Sequence, residues 1–369
     1  MKVSRVHDSS VKFIFCIATL MLPIINSPIL YGEAETSRKG YIHYSLSNTD
    51  PSASNEILNS GQVTNLSQLQ AVDSDVQKAV IIMFDRGYKS QFTHAKPILD
   101  KYEFKASFFI ICSFVQGGSY YKLANNTEIQ HKFDNAMSWN QIRQLHKEGH
   151  DIESHGMEHR DLRHLSSEGL EYEISESREC LSNNDLRPTY FQFPSNRGAN
   201  NLTILNMVSK YFDFGLAGHS KLMFLGCDGW DYGFKTRSYK YQRNCDPFSI
   251  NDTHTHTNKY AIKEWSHDRY HNKLNKNNPN LAPHGEEISN LMFNEFIRVV
   301  EEQKEYNNPV GKIVAIPIVG YHVIDSSSPY DTSVQLFDRE MKYLYDNRFK
   351  VLTLTDLGYD EKENKFYIK

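Results

Sequence analysis

The sequence lacks a basic excess, a long uninterrupted apolar run and a high content of glycine or proline. Its 41 Lys and Arg are outnumbered by 45 Asp and Glu, for a net charge of −4, which excludes a free-standing basic nucleic-acid binder. The 19 Gly and 12 Pro among 369 residues exclude collagen-like and proline-rich chains. With 39% hydrophobic residues, the chain is long enough for one large globular domain or two ordinary ones. The acidic balance favours neutral partners over anionic polymers.

The first 32 residues predict a secretory signal peptide. A start with more basic than acidic residues precedes an apolar run at 13–25, which is shorter than the roughly 20 residues of a membrane span. A retained N-terminal anchor is the alternative, because residues 29–31 extend the run. Residues 33–75 are rich in Ser, Asn, Gln and Thr and predict a polar lead-in. We therefore expect a secreted or cell-surface protein, in contact with a membrane only if the first segment is retained.

Cysteine usage agrees with export. Removal of the signal takes Cys16 with it and leaves an even number, namely Cys112, Cys180, Cys227 and Cys245. Cys227 and Cys245 lie in one loop-like stretch and are a candidate disulfide pair, although the sequence leaves the pairing open.

From residue 78 onward, short apolar runs alternate with amphipathic stretches. Repeated strand–helix alternation predicts a parallel α/β sheet, either open or closed into a barrel. We assign residues 76–369 to one domain with this architecture. Residues 220–283 break the rhythm with sequence rich in Tyr, Asn and His, and we expect an irregular insertion there.

Polar side chains follow several of the predicted strands, where active sites of such sheets gather. Asp85, His155, His159 and His322 each lie at or shortly after the end of a predicted strand. His155 and His159 are four residues apart, a spacing that suits zinc ligation, although 16 His in the chain make a chance spacing common. A water on such a metal becomes a nucleophile near neutral pH. Asp85 would take its proton, and His322 would protonate the leaving group.

Seven short motifs occur in order along about residues 78–358, at 81–87, 105–109, 137–139, 149–159, 193–194, 321–322 and 351–354. Together they resemble the polysaccharide deacetylases that carry a NodB-homology domain. The ordered set is far more specific than any one motif.

The resemblance implies a distorted (β/α) barrel that removes N-acetyl groups from a polysaccharide or oligosaccharide with one divalent metal. Zn²⁺ is the expected ion, with Co²⁺ as the alternative. By position, His155 and His159 match the two histidine ligands, Asp85 matches the catalytic base and His322 matches the general acid. The chain would be a hydrolase acting on non-peptide C–N bonds. An amidase with a non-sugar substrate uses the same chemistry.

Two residues depart from the family pattern. Arg86 stands where the family has an Asp as third metal ligand, and a guanidinium has no lone pair to offer a metal. Asp85 entering the metal shell, or His94 or Asp151, would complete the ligand set. Otherwise the chain is a catalytically impaired relative that binds glycans. Gln192 stands where many members have an Arg that orients the catalytic Asp.

The residue that pairs with His322 is left open by the sequence. The family places an Asp near a Trp for this purpose, and both 228–231 and 265–268 offer these residue types. We assign the role to neither stretch from the sequence.

Overall fold

The computed structural model describes residues 78–124, 127–132, 135–226, 258–325 and 331–369. The predicted signal peptide at 1–32 and the lead-in at 33–75 lie outside the described residues, as do Cys227 and Cys245. Among the helices that the structure describes, none combines the length and apolarity needed to cross a bilayer.

Seven parallel strands close into a barrel. In chain order they are β1 (Ala79–Arg86), β2 (Ser107–Ile110), β5 (Asp151–Ser154), β6 (Tyr190–Gln192), β7 (Phe214–His219), β9 (Ile262–Ser266) and β11 (Ile318–Tyr321). The ring closes because β1 pairs with both β2 and β11. A further strand, β12 (Lys350–Leu352), pairs with the first residues of β1 and distorts the ring. The predicted (β/α) barrel is confirmed, and the sheet is closed rather than open.

Three two-stranded sheets lie outside the barrel. They are β3 (Ser119–Ala124) with β4 (Thr127–Lys132), β8 (Met223–Phe224) with β10 (Ala315–Ile316), and β13 (Leu357–Asp360) with β14 (Lys365–Ile368). All three pairs are antiparallel.

Helices connect the strands on the outside of the barrel. The α-helices are α1 (Lys96–Lys101), α2 (Trp139–Lys147), α3 (Ser167–Glu171), α4 (Ser177–Ser182), α5 (Leu202–Tyr211), α6 (His267–Asn277), α7 (Glu286–Glu301), α8 (Lys304–Asn307) and α9 (Val334–Asp346). π-Helical segments at Gln91–Ala95 and Tyr172–Glu176 lead into α1 and join α3 to α4, and 3₁₀ turns occupy Cys112–Phe114, Leu162–His164, Pro194–Asn196, Asn308–Val310 and Leu354–Asp356. The side chain of Ser166 accepts the Gly169 N–H and begins α3, as its position in the sequence predicts.

Alternation along β1 separates two apolar cores. Ile81 and Met83 point into the barrel, where they join a cluster with Phe109 and Tyr190. The intervening side chains of β1 pack outward against the helices. Because side chains alternate along a strand, the residue two beyond Met83 also faces the interior. That residue is Asp85, at the carboxyl end of β1.

Three regular elements of the described residues lie within 220–283, the stretch for which an irregular insertion was expected, and the first of them is the short strand β8. The barrel strand β9 and the helix α6 occupy its last third. Residues 227–257 of the stretch lie outside the described residues.

A disulfide joins Cys112, in the turn after β2, to Cys180 in α4, with 6.5 Å between the Cα atoms. It connects positions 68 residues apart. The sequence left this pairing open.

Candidate active site

The five residues singled out from the strand ends lie around one cavity of about 210 Å³ at the carboxyl ends of the barrel strands. They are Asp85, Arg86, His155, His159 and His322. The pairing of β1 with β11 sets Phe84 beside Tyr321, so Asp85 and His322 follow at the next position of each strand. Register and alternation therefore bring together side chains that are far apart in sequence.

A chain of three side chains runs through His322. Its Nδ1 lies 2.9 Å from Asp268 Oδ2, and its Nε2 lies 3.5 Å from Asp85 Oδ2. The backbone N–H of His322 also donates to Asp268 Oδ2, at 2.7 Å. The imidazole is therefore held by Asp268 and presents Nε2 to Asp85 and the cavity. This is the geometry by which a carboxylate orients a histidine for proton transfer.

Asp268 is itself held in place. Thr332 Oγ1 donates to Asp268 Oδ1 at 2.9 Å and lies 3.0 Å from Nδ1 of His267. Burial works against ionisation, but hydrogen bonds and charge from His267 and His322 outweigh it and hold the pKa of Asp268 below its ordinary value. Of the two stretches left open by the sequence, 265–268 supplies this partner, and 228–231 lies outside the described residues.

Gln192, at the position where the resemblance implies an arginine, is hydrogen-bonded to Asp85. Its Nε2 donates to Asp85 Oδ2 at 2.9 Å. The other oxygen, Asp85 Oδ1, is buried without a hydrogen-bond partner. Burial raises the pKa of Asp85, and the charge of His322 and the hydrogen bond from Gln192 partly offset the rise. An orienting donor is therefore present, but it is neutral.

Gln91 links the first and last strands of the ring. Its Nε2 donates to the backbone oxygens of both Asp85 and His322, each at 2.7 Å. The side chain is fully buried, so these bonds are shielded from water. Gln91 thereby sets the spacing between the two candidate catalytic residues, a role that no pattern in the sequence indicated.

His155 and His159 face each other, with ring centroids 4.5 Å apart and planes at 80°. Each Nδ1 lies beside a backbone oxygen, at 3.0 Å from Gln192 O for His155 and 2.8 Å from Tyr121 O for His159. A carbonyl only accepts, so Nδ1 carries the proton and Nε2 keeps its lone pair. Burial lowers the pKa of His155 to about 3 and that of His159 well below its ordinary value. Both rings are neutral at pH 7.

Glu173 holds the loop that carries the two histidines. Its carboxyl accepts backbone N–H groups of Met157 and Glu158 at 3.0–3.2 Å and of Arg160 at 3.4 Å. The loop needs left-handed backbone at Gly156 (φ 84°) and His159 (φ 62°). The carboxyl of Glu173 thus takes the place of the backbone partners that so tight a loop cannot offer.

Arg86 brings a cation to the cavity. Its backbone is left-handed (φ 74°), its Nη1 donates to Tyr88 Oη at 3.3 Å, and its guanidinium lies 5.2 Å from the Tyr120 ring centroid. The charge of Arg86 contributes to the low pKa of both His155 and His159. A repulsive charge thus stands beside the two nitrogen donors.

The donor set is incomplete for a metal held by three protein ligands. Two neutral imidazoles with free Nε2 lone pairs fit two positions of a zinc ion. Within the described ranges, no group of three or more His, Cys, Asp and Glu side chains is placed to hold a metal. The described residues therefore do not fit the three-ligand centre that the resemblance implies.

Neither His94 nor Asp151 completes the set of metal ligands. His94 is exposed on the π-helical segment before α1, and its Nδ1 lies 2.7 Å from Ile324 O. Asp151 begins β5, at the opposite end of that strand from His155, and accepts from Ser107 and Thr355. The expectation that His94 or Asp151 supplies the third ligand is wrong, since neither lines the cavity.

Glu264 is a cavity residue that sequence reasoning missed. It lies on β9, two residues beyond Ile262, whose side chain points into the barrel. Burial and the nearby Asp85 raise the pKa of Glu264 well above its ordinary value. An acid at an inward-facing position of a barrel strand indicates a cavity residue. The sequence could have shown this for Glu264 only if β9 had been predicted as a strand.

Buried polar atoms without partners cluster around the cavity. They include Asp85 Oδ1, Arg86 Nε, Gln192 Oε1 and Glu264 Oε2. Leaving such atoms unpaired costs about 1–3 kcal/mol each, so their convergence on one cavity indicates that it receives a polar ligand.

Comparison with known proteins finds similarity to deacetylases. Residues 73–211 match the family model described as polysaccharide deacetylase. A 107-residue stretch is 29% identical to "Putative polysaccharide deacetylase YxkH" of Bacillus subtilis (strain 168), covering 29% of this chain and 33% of that protein. The match thus spans about a third of the relative's length.

Similar solved structures include the peptidoglycan deacetylase PdaC from Bacillus subtilis, at 15% identity and a TM-score of 0.41, covering 76% of this chain and 89% of that one. A family 4 carbohydrate esterase from Streptomyces lividans is 11% identical with a TM-score of 0.41, covering 75% of this chain and 92% of that one. Over residues 73–211, the chain is similar to the polysaccharide deacetylase family.

Proposed function

We propose that this protein is a hydrolase that removes N-acetyl groups from an extracellular or cell-surface polysaccharide. The observation that carries the proposal is the Asp268–His322–Asp85 chain, which presents an acid and a base to one polar cavity. A site that only bound sugar would not need a buried carboxylate aligned with an oriented imidazole.

The residues divide the proton transfers between them. Asp85 takes a proton from the attacking water, and Oδ1 is the oxygen available because Oδ2 is engaged by Gln192 and His322. As the amide C–N bond breaks, His322 Nε2 gives a proton to the departing amine, while Asp268 stabilises the imidazolium. A raised pKa makes Asp85 a stronger base once it is ionised.

The described donor set for a metal consists of His155 and His159. The proposed proton transfers therefore use Asp85 and His322. Zn²⁺ or Co²⁺ remains the ion that the family resemblance implies. It would supply Lewis-acid activation of water and of the acetamide carbonyl.

A glycan-binding protein without catalysis is the second candidate, and Arg86 is the observation that favours it. A cation near the two imidazoles disfavours a divalent ion by direct repulsion. The cavity and its unpaired polar atoms would serve sugar binding equally well.

Export is part of the proposal. The Cys112–Cys180 disulfide supports an oxidising compartment, because such bonds are rare in a reducing cytosol. The disulfide and the N-terminal segment, which is basic and then apolar, both support a secreted or surface-attached protein.

The proposal is tested by acetate release from an N-acetylglucosamine tetrasaccharide, with and without added zinc or cobalt. We expect release by the unaltered chain and a fall of about 10²–10⁴-fold in Asp85→Asn and in His322→Ala. Binding of the tetrasaccharide without acetate release under any metal condition would refute the proposed hydrolase and favour the glycan-binding protein.

Metal content is measured beside activity, on the purified chain after zinc loading. Arg86→Asp restores the missing carboxylate, and His155→Ala removes a donor. About one zinc per unaltered chain, lost in His155→Ala, would show that Arg86 is tolerated. Zinc in Arg86→Asp alone would show that the scaffold keeps a metal site from which Arg86 excludes the ion.

A further inference from the structure

A second, larger cavity adjoins the candidate active site. It measures about 730 Å³ and shares His219, Ser266 and Arg269 with the smaller cavity. From there it follows helix α6 as far as Asn277. We call this region, lined by α6 and the end of β9, the α6 groove. A polymer chain whose acetamide lay between Asp85 and His322 would continue into it.

The α6 groove is positively charged. Arg269, Lys273 and Lys276 are exposed and follow one another at intervals of four and three residues, which places them on one face of the helix. Among the described residues, none of the three has an ion-pair partner, and no Asp or Glu lines the groove. Like charges at this spacing oppose helix formation by a few tenths of a kcal/mol per pair.

Two acids near the groove are engaged elsewhere. Asp268, on the same helix, is buried and bonded to His322. Glu295, beside Tyr270, is paired with Arg298 on α7. At the junction of the two cavities, burial and the charge of Arg269 lower the pKa of His219 to about 4, so this ring is neutral and adds no charge to the groove.

Ring and amide groups complete the lining. Tyr270 is half-buried and packs against Trp265, so both present ring surface to the groove. Asn272 and Asn277 add amide donors and acceptors. Flat apolar surface beside hydrogen-bonding groups suits a sugar ring, which has an apolar face and a hydroxylated edge.

We infer that the α6 groove binds sugar units that carry carboxylates, so that the substrate is an acidic N-acetylated polysaccharide. The inference rests on the proposed function for the identity of the sugar, and on the groove for its charge. It replaces the expectation of neutral partners drawn from the net charge of −4. A net charge sums the whole chain, whereas a bound sugar responds to charges within about 8 Å at physiological salt.

The test compares the affinity of the full chain for three tetrasaccharides. One alternates N-acetylglucosamine with glucuronic acid, the second is the same molecule with its carboxyl groups reduced to alcohols, and the third contains N-acetylglucosamine only. We expect the acidic tetrasaccharide to bind about tenfold more tightly than its reduced form, with an advantage that shrinks as salt rises.

Variants locate the effect. Lys273→Ala with Lys276→Ala should remove most of the advantage of the acidic sugar and leave affinity for the other two within about twofold. Lys147→Ala, an exposed lysine on α2 outside the groove, is the matched control and should keep the advantage. Equal affinity for the acidic and reduced tetrasaccharides, or an advantage that survives the double variant, would overturn the inference.

The same assay separates this inference from the proposed function. Asp85→Asn should keep the preference for the acidic sugar while losing acetate release. If the unaltered chain prefers the acidic sugar but releases no acetate, the inference about the α6 groove is supported and the proposed enzymatic function is refuted. Acetate release with equal KM for the acidic and the reduced sugars would support the proposed enzymatic function and refute the inference about the α6 groove.

Discussion

At the scale of single residues, Asp268 decides what His322 can do. It accepts both the backbone N–H and the ring Nδ1 of His322, so it sets the position and the tautomer of the imidazole together. Replacing it with Asn keeps the shape but allows the amide to face Nδ1 with an N–H. The ring then turns or changes tautomer, and Nε2 no longer carries a proton to the leaving amine.

We therefore expect Asp268→Asn to lower kcat for acetate release by about 10²–10⁴-fold with little change in KM. Asp346→Asn is the control, since Asp346 is a surface acid at the end of α9 that pairs with Lys342. Equal kcat in Asp268→Asn and the unaltered chain would remove His322 from the proposed mechanism.

His267 is a second residue whose surroundings make a measurable difference. It is fully buried, and Nε2 lies 2.8 Å from Glu340 Oε1. Burial alone would lower its pKa, but the charges and hydrogen bonds of Glu340 and Asp268 raise the pKa of His267 to about 9. The ring is therefore charged at neutral pH.

A raised pKa stabilises the fold fully below the unfolded value near 6.5, and the contribution is lost as pH rises through about 9. We expect the free energy of unfolding to fall by about 3 kcal/mol or less between pH 6.5 and 9.5. Urea titrations of His267→Gln should show a smaller fall in the free energy of unfolding over this pH range. His146→Gln, which replaces an exposed histidine on α2, should show the same fall as the unaltered chain. An identical pH dependence in His267→Gln would show that the ring is not charged in the fold.

At the scale of elements, the loop from β5 that carries His155 and His159 depends on Gly156. Its φ is 84°, and an added Cβ would lie 2.8 Å from Glu173 Oε2. Alanine would therefore meet both a strained backbone and the carboxyl that holds the loop. The cost falls on the segment that positions both imidazoles.

Gly156→Ala should lower the free energy of unfolding by about 2–4 kcal/mol. Gly311→Ala is the matched control, because Gly311 has φ 65° with no atom within 4 Å of an added Cβ. It should cost only the backbone strain, about 1–2 kcal/mol. Equal losses in urea titrations of the two variants would mean that Glu173 moves away at no cost.

Elements that alternate strictly in the sequence are the ones that it predicts well. β5 lies at 151–154 and α5 at 202–211, as the apolar pattern indicates. β7 and β9 escaped prediction because Gly215 and Gly218 interrupt one and Lys263 and Glu264 the other. Glycines and charged residues within a strand thus hide it from a prediction based on hydrophobicity.

The site shows the same division. The motifs bring Asp85, His155, His159 and His322 to one cavity, as expected from strand ends. Asp268 as the partner of His322 required the position of α6, and the bridge from Gln91 required the seam between β1 and β11. Contacts made across the ring depend on three-dimensional register, which local pattern does not contain.

At the scale of the whole molecule, one covalent bond ties the barrel to its outer layer. Cys112 follows β2, and Cys180 lies in α4, with 68 residues between them. The loop that the bond closes contains β5 and both candidate metal-binding histidines. The bond limits the conformations of the unfolded chain across a fifth of its length.

Cys112→Ala with Cys180→Ala should lower the free energy of unfolding by about 2–4 kcal/mol. The unaltered chain in reductant should lose a similar amount. Unchanged stability in the double variant and in reductant would show that the bond does not contribute to the fold in solution.

The seam between β1 and β11 also bears on how the protein is made. Gln91 and His322 stand 231 residues apart in the chain, yet one side chain joins the first strand to the last at the cavity. During synthesis the proposed base, Asp85, emerges early and the proposed acid, His322, much later. On the proposed mechanism, a ribosome-bound chain that has not yet reached β11 holds only one of the two groups, so activity would have to await closure of the ring.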